Sequence, residues 1–165
     1  MTETHVSWKE QQAERLETLI GYLRRLQETE PDRFDIRRWV SSHDLKDMTK
    51  ARKQWPKRYK EGQPLDCGTS ACVVGHLAVV FPEDFQWEYA PETGMVIRVA
   101  CVIPGYESVV GALHMARLFG GRALDWSDII FPEAYTREEL DERGQVPLLA
   151  VIARIESLRK ALASQ

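Results

Sequence analysis

Asp66-Cys67-Gly68-Thr69-Ser70-Ala71-Cys72-Val73-Val74-Gly75-His76 opens into Leu77-Ala78-Val79-Val80-Phe81, and the run stops at Pro82. A proline disfavours helical backbone in the residue before it, so the pattern predicts a helix from about Thr69 to Phe81. Asp66 or Thr69 would be the N-cap, its side-chain oxygen accepting from an unpaired amide of the first turn. Ala71, Val73, Val74, Leu77, Ala78, Val80 and Phe81 make most sides of this helix apolar, which predicts a central, buried element. Its N-terminal end would present N–H groups beside Cys67, Gly68 and Thr69, and helix ends of this kind attract anions.

Upstream, Ser7-Trp8-Lys9-Glu10 fits a capping box, and Leu16, Leu19, Ile20, Leu23 and Leu26 follow at helical spacing to about Glu28. Pro31 closes that helix. Phe34 to Val40 reads as a short strand or a single helical segment, the helix being preferred. Residues 41–65 are polar, and Lys50, Arg52, Lys53, Lys57, Arg58 and Lys60 occur between positions 49 and 60 with no acid among them. Trp55 and Tyr59 sit within this basic stretch, and Pro56, Gly62 and Pro64 predict a loop with at most a helical turn.

Downstream, Phe85-Gln86-Trp87-Glu88-Tyr89 and Met95-Val96-Ile97-Arg98-Val99 flank Ala90-Pro91-Glu92-Thr93-Gly94, a β-hairpin pattern whose second strand extends through Cys101 to Ile103. A helix from about Glu107 to Phe119 is ended by Gly120-Gly121. Leu124 to Pro132 reads as a tight turn segment tucking Trp126, Ile130 and Phe131 inward. Thr136-Arg137-Glu138-Glu139 signals a short helix to about Arg143, and Leu148, Ile152, Ile155 and Leu162 mark one face of a last helix. No repeat and no linker divides the chain. The expectation is one globular domain over residues 1–165, α+β in class, mostly helical, with one β-hairpin packed on the central helix.

At 165 residues the chain is long enough for a substantial core, and its 44% apolar and 28% charged content is that of a globular protein. A formal charge of −3 argues against nucleic acid as a partner, and no apolar run approaches the ~20 residues of a membrane span. Neither a secretory leader nor an even cysteine count is visible, so Cys67, Cys72 and Cys101 are expected reduced in a cytoplasmic setting.

Three pieces together, Asp66 to His76, Ala116-Arg117-Leu118-Phe119-Gly120 and Ile129-Ile130-Phe131-Pro132, resemble a group of small, uncharacterised bacterial and phage proteins. Those carry a C-G-T-x-x-C-x-x-G stretch, a helix ending in a Leu-Phe/Leu-Gly type sequence, and a Leu-Phe-x-Pro-like segment before a last helical hairpin. The likeness covers residues 34–160, and its first motif is the specific one. Ile130-Phe131-Pro132 departs from the pattern by lacking the residue before proline. The resemblance implies a phage or bacterial cytosolic setting and carries no activity.

Several chemistries fit these residues. Cys67 at a helix start would have its thiolate favoured by the helix dipole, and Asp-Cys-Gly resembles the nucleophile turn of papain-like peptidases. The base would have to be His114 or His43, because His76 lies nine residues along the same helix from Cys67, about 13 Å. The plain alternative is that Cys67 is a small packed residue. Cys72 and His76 are spaced i,i+4 as two metal ligands would be, but paired Cys-x-x-Cys or His-x-x-x-His units are missing and no metal or cofactor is implied. Gly68, Ala71, Cys72 and Gly75 form a small-residue stripe suited to close packing. The basic stretch is either a solvated surface or a phosphate-binding segment.

The leading expectation is a non-catalytic cytosolic binding protein for an anionic, phosphate-bearing small molecule, in particular a nucleotide. Gly68 and Thr69 would hold the phosphate, Arg52, Lys53, Lys57 and Arg58 would supply charge, and Trp55 would stack. Arg154 and Arg159 are two charges distant from that site, and replacing them is expected to leave affinity alone. If the phage likeness holds, one version is a counter-defence protein that sequesters a nucleotide immune signal. The alternatives are a cysteine-dependent hydrolase using Cys67 with His114 or His43, and a protein-interaction module whose basic loop meets an acidic partner. No membrane partner is expected, and self-association is left open.

Overall fold

The computed structural model describes residues 7–31, 34, 41–42, 69–70, 72–89, 96–105 and 108–164. The class is the expected one: α+β and mostly helical, with an antiparallel hairpin against an apolar helix. The chain divides into two compact units, residues 1–28 with 111–165, and residues 29–110.

The first unit is helical. α1 (Trp8–Thr29) begins with the expected capping box: the Ser7 amide donates to Glu10 Oε2 at 2.7 Å, and the Glu10 amide donates to Ser7 Oγ at 3.3 Å. Leu16, Leu19, Ile20, Leu23 and Leu26 are all buried, as their 3–4 spacing requires. α3 (Ala112–Phe119), α4 (Ala123–Ile130) and α5 (Leu148–Ala163) complete the unit. Arg24 pairs with Glu156 and Arg159 with Glu17, each at 2.6 Å, which sets α5 antiparallel to α1.

Three expectations are corrected here. α3 starts at Ala112 rather than near Glu107, because Ser108 and Val109 are strand residues. Leu124 to Pro132 is not a tight turn. It is the two-turn helix α4, which buries Trp126, Ile129 and Ile130 at the i, i+3, i+4 spacing of one face and leaves Phe131 half exposed. The capping box at Thr136 and Glu139 closes only a 3₁₀ turn, Arg137–Glu139, not a helix to Arg143. Asp141 takes over there: its carboxylate accepts from the Arg143 amide at 2.9 Å and the Gln145 amide at 2.8 Å, and Gly144 adopts φ +69°.

The second unit contains the motif that opened the reading. α2 runs Val73–Val80 and stops at Phe81, before Pro82. It therefore begins four residues later than expected. Thr69 and Ser70 form β2, antiparallel to β1 (Ser41–Ser42), with Ser42 opposite Thr69 and Ser41 opposite Ser70. Cys72 is the N-cap, in extended conformation and with no side-chain capping bond, so neither Asp66 nor Thr69 caps this helix. A β-branched threonine with a hydroxyl neighbour favours extended backbone once a partner strand is present.

The rest of α2 is as central as its composition demands: Val73, Val74, Gly75, His76 and Leu77 are all buried. It lies against the hairpin of β3 (Phe85–Tyr89) and β4 (Val96–Cys101). The register pairs Phe85 with Cys101 and Trp87 with Val99, and a bulge interrupts it between Glu88 and Tyr89. Phe85, Val99 and Cys101 share the buried face, and Trp87 Nε1 donates to the Gly75 carbonyl at 3.0 Å. β5 (Ser108–Val109) adds an unexpected third strand beside β4.

Candidate functional site

Two places hold residues that bear on function, one in each unit. In the second unit the β1–β2 pair decides the geometry. Because Ser42 lies opposite Thr69, the chain leaves this pair at residue 42 and returns to it at residue 69. The six basic residues of the 49–60 stretch, with Trp55 and Tyr59, fall in sequence between these two strands. Of the expected ligand-binding residues, Thr69 lies in β2, at the neck. Gly68, Arg52, Lys53, Trp55, Lys57 and Arg58 lie outside the described residues, as do Cys67 and His43. Thr69 belongs to a strand, so the expected phosphate cradle at a helix N-terminus over Gly68 and Thr69 is not the geometry present.

Cys72 and His76 are buried side chains of the core, and His76 stacks on Phe34 with ring centroids 6.5 Å apart and planes 9° off parallel. Cys101 is likewise buried in β4. No group of three or more metal-ligating side chains occurs among the described residues. His114, the other histidine considered as a base, lies on α3 in the helical unit and is half-buried.

The helical unit carries a polar centre that the sequence did not announce. Arg154, on α5, reaches four oxygens. Its Nε donates to Glu139 Oε1 at 2.8 Å, and its Nη2 donates to Glu139 Oε2 at 2.6 Å and to the Ala134 carbonyl at 2.9 Å. Its Nη1 donates to the Asp128 carbonyl. The guanidinium also lies 3.7 Å from the centroid of the Tyr135 ring, whose hydroxyl donates to the Ile129 carbonyl at 2.7 Å. The fork of a guanidinium is what such a site needs, and a lysine could not span it. Arg154 holds the Glu139 carboxyl well below its usual range, at about 2, helped by the Thr136 amide. Burial pushes the Tyr135 hydroxyl far above the ordinary phenol range. Arg154 is thus a structural clamp. The only sequence signal was the capping-box acid Glu139, fifteen positions upstream and with no periodic relation to Arg154.

Two hollows lie in the same unit. The larger, about 870 Å³, runs from Gly121 and Arg122 past Asp125 to Arg154 and Ser157. Its charges are already matched: Arg122 Nη2 donates to Asp125 Oδ1 at 2.7 Å, and its amide to Asp125 Oδ2 at 2.8 Å, which lowers the Asp125 carboxyl's pKa. The smaller, about 490 Å³, is a groove between the first half of α1, the Gly120-Gly121 turn and the last turns of α5.

That turn is built tightly. Gly120 and Gly121 have φ of +83° and +86°, and a Cβ on either would fall 3.0 Å from a methyl of Leu162 or Leu158. The Gly120 carbonyl accepts from the buried Trp126 Nε1 at 2.8 Å. Both conformation and space therefore restrict these positions to glycine.

No family model matches the chain, and no curated protein or solved structure matches it either. No described helix is long and apolar enough to cross a membrane.

Proposed function

We propose that the protein is a non-catalytic binding protein for an anionic, phosphate-bearing small molecule, in particular a nucleotide, held by the basic stretch of residues 49–60 at the β1–β2 neck. The observation that supports this reading is the pairing of Ser42 with Thr69. It closes residues 43–68 into one loop, and in this reading Arg52, Lys53, Lys57 and Arg58 fold back from that loop toward the backbone of Thr69. Loop closure of this kind raises the local concentration of positive charge at small entropic cost. In this reading Trp55 stacks on a base, and the Gly68 and Thr69 amides take phosphate oxygens from the strand neck rather than from a helix end.

The test is calorimetric titration of the intact protein with inorganic phosphate, a nucleoside triphosphate and a cyclic dinucleotide at fixed salt. Each charge-assisted contact contributes roughly 1.5–3 kcal/mol, so Lys57→Ala with Arg58→Ala is expected to weaken binding by ~100-fold or more. Arg137→Ala with Arg159→Ala serves as the control of equal charge loss. Arg154 is unsuitable as a control because of its structural bonds. Absence of binding by all three probes would remove the proposal and return the segment to a solvated surface.

A further inference from the structure

We draw no further inference here: the strongest candidate, the exposed apolar surface patch that Leu124 and Phe131 form on the outer side of α4 and at its C-terminal end, is a face of two side chains, and nothing in the structure shows what covers it.

Discussion

The two units reach order by different means. In the helical unit, buried leucines at helical spacing along α1 are matched by long-range polar bonds: Arg24 with Glu156, Arg159 with Glu17, and Arg154 with Glu139 and two carbonyls. In the second unit apolar burial gathers around α2, with Trp87 donating to Gly75 and Phe34 stacked on His76. Of its reactive side chains, Cys72, His76 and Cys101 are buried in that core. Charge there is concentrated in the stretch between β1 and β2, whereas in the helical unit charge is spent on architecture. A cysteine or histidine in the second unit should therefore be judged first as core, and an arginine in the helical unit first as structure.

The largest effect that would test this contrast comes from the α2 core. Val74 is 1% exposed, and Val74→Asp would place a carboxylate in the apolar core of α2, beside the buried Val73 and Leu77. Burying an unpaired charge costs several kcal/mol, a large share of the stability of a domain this size. Amide hydrogen exchange is expected to show protection lost first and furthest in α2, β3 and β4. If Val74→Asp melts within a degree or two of wild type, the picture of a hydrocarbon core around α2 fails.

Arg154→Ala should have the next largest effect, and in the other unit. It removes a two-point bond to Glu139, donors to two carbonyls and the stack on Tyr135. Charge-assisted bonds of this kind contribute about 1.5–3 kcal/mol each when lost singly, but Arg154 and Glu139 side chains retain 21% and 31% exposure, so about 3 kcal/mol in all is expected. Arg154→Lys should restore only part of it, since an ammonium cannot span carboxylate and carbonyls at once. Arg159→Ala, which removes a single exposed pair, should stay within about 1 kcal/mol. Equal denaturation midpoints for Arg154→Ala and Arg159→Ala would show that the two arginines are alike, against the structural role given to one of them.

What could be read from the sequence follows the same division. α1 and α5 were legible because long helices repeat their apolar face four or five times, and because Ser7 and Glu10 mark a start with local chemistry. α4 escaped because two turns between Gly121 and Pro132 repeat the pattern only once, and its Trp126, Ile129 and Ile130 fit a folded turn equally well. β2 and β5 escaped for a different reason. Thr69-Ser70 is a strand only because Ser41-Ser42 lies beside it, a partner 27 positions away at its closest that no local propensity encodes. The motif drew attention to the right element, since α2 is central and buried, but Thr69 and Ser70 belong to a sheet. At the candidate site, composition located the basic stretch, while the pairing of Ser42 with Thr69 on either side of it could be found only from the structure. The groove beside the Gly120-Gly121 turn is assembled from α1, that turn and α5, so no contiguous motif marks it.

The smallest expected effect, and the sharpest test of how the helical unit uses its charges, is an acid titration centred on Glu139. Its pKa is depressed from the ordinary 4.5 to about 2, chiefly by its bond to Arg154 and then by the Thr136 amide. A carboxyl whose folded pKa is depressed contributes stability that is fully present above its unfolded pKa and is lost as pH falls through the folded one. Glu139→Gln keeps the shape and one acceptor oxygen but cannot be ionised. The variant should thus be less stable than wild type at pH 6, and the gap should narrow steadily from about pH 4.5 toward pH 2. Partial exposure limits the gap to about 1 kcal/mol, smaller than the loss in Arg154→Ala, because protonating Glu139 leaves the arginine bonded to the Asp128 and Ala134 carbonyls. Urea denaturation of both proteins at intervals from pH 6 to pH 3 measures the gap directly. A gap that stays constant across that interval would mean that the Arg154–Glu139 bond draws nothing from its charge, and the helical unit would then owe its order to burial and to hydrogen bonds that charge does not strengthen.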